Sequence, residues 1–131
     1  MLAVRENALI VLWREAQSCD LIHEAARLLA ASNPHGIGVL GISRGEVALE
    51  GAAERQRLGQ RLRERGVRLL GLASVIERDG IREVMHRINL VTQHPCPLEV
   101  FATVDEAAAW LAPRLLGHVS SSDLRRAAAD L

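Results

Sequence analysis

A chain of 131 residues, 49% of them apolar, can bury a real core as one domain and is too apolar for wholesale disorder. Sixteen basic and sixteen acidic residues cancel, so no overall field draws nucleic acid or an anionic membrane. Every basic residue is arginine and tyrosine is absent, which excludes a Schiff-base lysine, a P-loop lysine and a tyrosine acid.

Met1 to Glu6 has no charged segment followed by a long apolar one, so no signal peptide is expected. The apolar runs are too short to span a bilayer, and a cytoplasmic location is expected. Ala8 to Trp13 reads as a strand buried on both faces. Ser18 offers a helix cap, and Asp20 suits the positive end of the dipole. Leu21, Ile22, Ala25, Leu28, Leu29 and Ser32 follow at helical spacing, until Pro34 and Gly36 stop the helix. Ile37 to Ile42 is a second strand, and Ser43 to Glu46 a turn. Glu50 to Arg65 reads as a helix with Gly66 at C′; its thin stripe of Ala53, Leu58 and Leu62 makes it the most exposed helix. Val67 to Ile76 is a third strand. Ile81, Val84, Met85, Ile88 and Val91 mark a one-faced helix, with Arg82, His86, Asn89 and Gln93 turned outward. Leu98 to Ala102 is a fourth strand. It runs into a helix capped by Thr103, with Glu106 where a capping box needs it, and lined by Val104, Ala107, Ala108, Leu111 and Leu115. From Gly117 the chain turns polar; a short helix over 124–131, capped near Ser122, competes there with fraying.

Strand and helix alternate four times, and each helix can serve as the crossover that parallel strands require. The expected fold class is therefore α/β: one small domain of about four mostly parallel strands alternating with four helices, spanning residues 1–116, followed by a polar tail over 117–131.

Gly36-Ile37-Gly38-Val39-Leu40-Gly41 imitates a dinucleotide fingerprint, but its glycines lie within a strand and the spacing is wrong. Close packing of a helix on the sheet accounts for them better. Cys19 and His23 are four apart on one helix, and His94 and Cys96 flank a proline; together they would make a four-donor zinc set, although neither pair has finger or ribbon spacing. The preferred reading makes Cys19 a small buried residue and His23 a helix-surface one, with no metal and no cofactor. Gly41-Ile42-Ser43-Arg44-Gly45 matches a serine nucleophile elbow only in its letters, since the helix does not start at the serine. Cys19, near a helix start, is the other conceivable nucleophile. Arg57, Arg61 and Arg65 recur every four residues and share a face, balanced by Glu50, Glu54 and Glu64. Such a face is ordinarily solvated; if it binds, an acidic protein patch fits better than nucleic acid, because no stacking aromatics accompany it.

Three features together resemble a known family. They are the buried strand Gly71-Leu72-Ala73-Ser74-Val75 before a charged turn and a helix, the entry Pro95-Cys96-Pro97-Leu98-Glu99-Val100-Phe101, and the ending Val104-Asp105-Glu106-Ala107-Ala108-Ala109-Trp110-Leu111. Over roughly residues 8–112 the chain resembles the SpoIIAA-like domains, relatives of the STAS domain of anti-sigma-factor antagonists. The resemblance implies a bacterial, non-catalytic regulatory module that binds another protein, a kinase or an anti-sigma-type regulator. It also implies a phosphorylatable serine after a strand, a place Ser43 occupies; no aspartate precedes it, and Arg44 stands where the motif has a small residue. The expected contact surface comprises Ser43, Arg44 and Glu46 with Arg57, Arg61 and Arg65, and a homodimer formed over an edge strand is a further expectation. The alternatives are a binder of a small apolar or anionic ligand, held between sheet and helix, and a small hydrolase or thiol enzyme using Ser43 or Cys19.

Overall fold

The computed structural model describes residues 1–13, 19–44, 49–91 and 97–131, with side chains for all of these except 19 and 49–56. The chain is α/β. Its single five-stranded sheet runs in sequence order: β1 (Leu2–Arg5), β2 (Ala8–Trp13), β3 (Ile37–Ser43), β4 (Leu69–Ile76) and β5 (Leu98–Phe101). The last four strands are parallel, as their continuous apolar runs imply. Between them lie α1 (Cys19–Ser32), α2 (Leu49–Glu64) and α3 (Asp79–Val91); after them come α4 (Val104–Leu111), a 3₁₀ turn (Ala112–Arg114) and α5 (Ser121–Ala129).

The first strand corrects the four-strand expectation. β1 is antiparallel to β2, with Leu2 opposite Val11 and Arg5 opposite Ala8, so Glu6 and Asn7 alone make the turn. Glu6 takes a positive φ of 51° there, a conformation that hairpin turns usually assign to glycine or asparagine. No glycine marks the turn, and the strand is four residues long, so the sequence pattern passes over it.

A sheet that grows in one direction through right-handed crossovers carries all its crossover helices on one face. The core divides accordingly. Leu9, Val11, Val39 and Leu72 pack with Ile22 and Ala26 of α1 and Leu58 and Leu62 of α2, while Ile76 and Val100 meet Met85 of α3. The alternate residues Ile10, Leu12, Leu40, Ile42, Ala73 and Val75 face α4 and α5. Glycine permits close approach on that second side: a Cβ on Gly71 would lie 3.0 Å from Leu111 Cδ1, and one on Gly38 would collide with Leu115. Gly38 of β3 and Gly71 of β4 therefore serve helix packing, whereas Gly41, expected to do the same, makes room for the Trp13 side chain of β2, since a Cβ there would fall 2.8 Å from Trp13 Nε1.

Two caps form where they were expected. Thr103 caps α4, accepting from Glu106 N at 3.2 Å; the Glu106 carboxylate accepts from the Thr103 hydroxyl at 2.9 Å rather than from its backbone N–H, so the expected capping box is not closed. Gly66 ends α2 with a φ of 81°; its N–H bonds Arg63 O at 2.9 Å and Val67 N bonds Leu62 O at 3.0 Å, the paired bonds of a Schellman motif.

Three surface assignments change. In α1, Leu21 and Leu28 are each 58% exposed, whereas Ile22 and Ala26 are buried, so the inward stripe is rotated from the one expected. Val84 and Val91, both expected on the inward face of α3, are exposed, Val91 beside Leu90. The polar tail folds back as α5, which starts at Ser120 rather than Ser122, through a capping box with Asp123. Leu124, Ala127 and Ala128 are buried against β1, β2 and α4. Among the described residues, no helix is long and apolar enough to cross a membrane.

Candidate functional site

α2 ends in a concentration of positive charge, with Arg61 and Arg63 in its last turn and Arg65 at its cap. Cations there complement the negative end of the helix dipole, which gives these arginines a local structural reason. Arg61 and Arg65 also turn toward α1. With Asp20, His23 and Glu64 they line a cleft of about 370 Å³ in which, among the described residues, every lining side chain is ionisable.

The histidine is the unexpected member. His23 is 8% exposed, not a surface residue, and its Nε2 is sealed from solvent without a hydrogen-bond partner. It lies beside Ile22 and one turn before Ala26, both fully buried, so it belongs to the inward stripe of α1. A periodicity counted from Ala26 rather than from Leu21 would have found it. Asp20 sits in the first turn of α1 and is exposed. Glu64 accepts a long hydrogen bond from Gln60 Nε2 at 3.4 Å. Among the described residues, Arg61 and Arg65 make no ion pair.

Beside the cleft, Glu24 and Arg27 form an exposed bidentate pair, with Nη2 to Oε1 at 2.6 Å and Nε to Oε2 at 3.0 Å. The Arg27 hydrogen bond holds the Glu24 carboxyl below the usual glutamate range, and the charges of His23 and Arg65 act in the same direction. The cleft thus offers two guanidinium groups one turn apart and a buried imidazole, bounded by two carboxylates. Arginine forks bind carboxylate or phosphate oxygens bidentately, so the arrangement can hold an anionic group.

The remaining expected residues scatter. Arg57 is exposed on α2 but does not line the cleft. Ser43 is the last residue of β3, opposite Trp13 and Ile76, and is 5% exposed, so an outside enzyme reaches it only if the strand end opens. Arg44 is exposed beside it. Glu46, His94, Cys96 and the side chain of Cys19 lie outside the described residues, and with them most of the four-donor zinc set and the thiol nucleophile. Among the described residues, no three His, Cys, Asp or Glu side chains cluster as a metal site would need. His86, half exposed on α3, approaches Glu99 of β5 at 3.5 Å and ties helix to edge strand. Comparison with family models, characterised proteins and solved structures gives no match.

Proposed function

We propose that this chain is a non-catalytic interaction module of STAS-like type, which binds an acidic segment of another protein at the α1–α2 cleft. The observation that carries this reading is the pair Arg61 and Arg65, one turn apart and lacking ion-pair partners among the described residues, in a cleft that the buried His23 also lines. Two guanidinium forks at that spacing suit neighbouring carboxylates. Asp20 and Glu64 repel anions that arrive in the wrong register, so recognition rests on the position of charge as well as its sign. Among the described residues no phenylalanine, tyrosine or tryptophan lines the cleft to stack a base, and the His23 ring is buried, which favours protein over nucleic acid.

Parallel strands alternating with helices support the STAS-like part of the reading, and a kinase or an anti-sigma-type regulator is the partner class it implies. Because Ser43 is buried, binding is proposed to work without phosphorylation there.

The test uses a peptide of about six consecutive glutamates, titrated against the full chain at low salt, where exposed charges act most strongly. It should bind saturably, and its glutamine counterpart should not. The double variant Arg61→Glu with Arg65→Glu should weaken binding at least about tenfold while lowering the thermal midpoint by only a few degrees, the loss expected when acids replace cations at the end of α2. Binding that survives this reversal would remove the cleft as the recognition surface.

A further inference from the structure

The sheet has two edges, and they are finished differently. On β5 the Val100 N–H is taken by the Glu99 carboxylate at 3.2 Å, and that carboxylate also approaches His86 of α3. A charged side chain folded over edge groups is one way a sheet blocks further pairing. β1 is far more open. Met1 and Leu12 exchange hydrogen bonds at 2.8 and 3.2 Å, and the register runs unbroken from there to the turn. Antiparallel pairs alternate between bonded and unbonded, so Ala3 and Arg5 also aim their N–H and C=O groups at β2, while Leu2 and Val4 aim theirs off the sheet. Among the described residues no acceptor meets the Leu2 or Val4 N–H; Val4 O accepts from the exposed Arg5 Nη1 at 2.9 Å.

The side chains along this edge are apolar. Leu2 and Val4 stand opposite Val11 and Leu9, so they lie on the face that α1 covers. The crossover helices connect β2 to β5, and β1 falls outside them; Val4 is left exposed. Leu21 and Leu28, also exposed, lie seven residues apart on the shoulder of α1 turned away from Asp20 and His23, the side that meets α2. Because α2 lies toward β4, that shoulder is the one toward β1.

We propose that β1 pairs antiparallel with β1 of a second copy of this chain, across a two-fold axis at Ala3, joining two five-stranded sheets into one. Leu2 then exchanges both backbone bonds with Val4 of the partner subunit, and Val4 does the same with Leu2 of the partner subunit, so every outward group of the strand is used. Centring on Leu2 leaves Val4 beyond the partner strand. Centring on Val4 sets Leu2 against Glu6, whose φ of 51° ends the extended backbone, and brings the two Arg5 side chains to within about 7 Å along the strands. The axis at Ala3 separates them by four residues, about 14 Å, beyond the screening length of about 8 Å at physiological salt. The chain has no net charge, so a second copy meets no overall repulsion. Only the exposed Arg5 guanidinium has to move, releasing Val4 O. A standard interface takes about 20–30 residues a side, and one short strand flanked by Leu21 and Leu28 supplies a fraction of that, so the dimer is weak, with a Kd on the order of 100 µM.

Sedimentation equilibrium of the full chain from about 10 µM to about 1 mM tests the pairing, and the mass should rise from 14.3 kDa toward twice that value. Val4→Pro removes an outward N–H and no bond to β2, so it should keep the fold by circular dichroism and hold the mass at 14.3 kDa throughout. Ala3→Cys gives a second readout. The two-fold sets this position against itself as an unbonded pair with Cα atoms about 4.5 Å apart, within disulfide reach. Under mild oxidation it should cross-link at least about tenfold faster than Arg87→Cys on the exposed side of α3. A mass that stays at one chain to the highest concentration, a dimer that survives Val4→Pro, or equal cross-linking of the two cysteine variants would each overturn the proposal. None of these changes touches the α1–α2 cleft, so the dimer and the acidic-segment reading are tested apart.

Discussion

Leu124→Ala tests whether the last helix belongs to the core. Leu124 is fully buried, in one cluster with Ala107 and Ala108 of α4 and with Ala127 and Ala128 of its own helix. Shortening leucine to alanine removes three carbons, worth about 2.4 kcal/mol of transfer free energy at ~0.8 kcal/mol each. Alanines have no rotamers with which to fill the gap, so the void persists; about 50 Å³ of it adds roughly 1 kcal/mol. The loss should therefore be about 3–4 kcal/mol, a midpoint lower by about 10–15 °C for a chain of this size. Thermal and urea unfolding followed by circular dichroism measure it, with Arg125→Ala on the exposed side of the same helix as a control expected to leave the midpoint in place. The substitution separates two cases cleanly. Alanine is a better helix former than leucine, so in an undocked helix the change would be neutral or mildly stabilising. A midpoint equal to that of the parent chain would refute the docking of α5.

The capping box of the same helix predicts an acid limb. The Ser120 side chain, and next its backbone N–H, hold the Asp123 carboxyl below the usual aspartate range. A depressed folded pKa means the stabilisation is complete above the unfolded-chain pKa and vanishes as pH falls through the folded one; Asp123→Asn should lose this acid dependence in unfolding measured across that window. His23→Leu should change stability by no more than about 1 kcal/mol, or raise it, because it removes an unpaired buried nitrogen at similar volume. The same variant should bind the glutamate peptide more weakly, and a large loss of stability in urea unfolding would show that Nε2 has a structural partner.

Much of the sheet was legible because parallel strands covered on both faces must be apolar throughout, and Ala8–Trp13 and Ile37–Ser43 are buried at every position. Caps were legible for a local reason: Thr103 with Glu106, and Gly66, act within one turn of themselves. The elements that escaped depend on partners distant in sequence. α5 presents one leucine and two alanines inward among serine, aspartate and arginine, a weak pattern until α4 provides a surface to pack on. The candidate cleft divides the same way. Arg61 and Arg65 announce themselves by spacing on one helix, but Asp20 and His23 join them only through the packing of α1 on α2.

The two faces of the sheet have unequal roles, and the reason is packing. α4 and α5 close one face with alanines against glycines, an arrangement that brings backbones together and leaves little side chain to vary. α1, α2 and α3 cover the other face with longer side chains, and there Leu21, Leu28 and Leu90 remain exposed while His23 is buried. Among the described residues only Asn7, His23 and Ser43 are polar and buried. Two of the three hold an atom that the fold leaves unpaired, Asn7 Oδ1 and His23 Nε2. At His23 a core optimised for stability alone would place an apolar group, because an unpaired polar atom costs more than its replacement; Asn7 is retained in part by the bonds its Nδ2 donates to Leu115 O and Gly36 O. Each of the two lines a pocket, and departures from a consistent core gather where a sequence serves something other than its own folding.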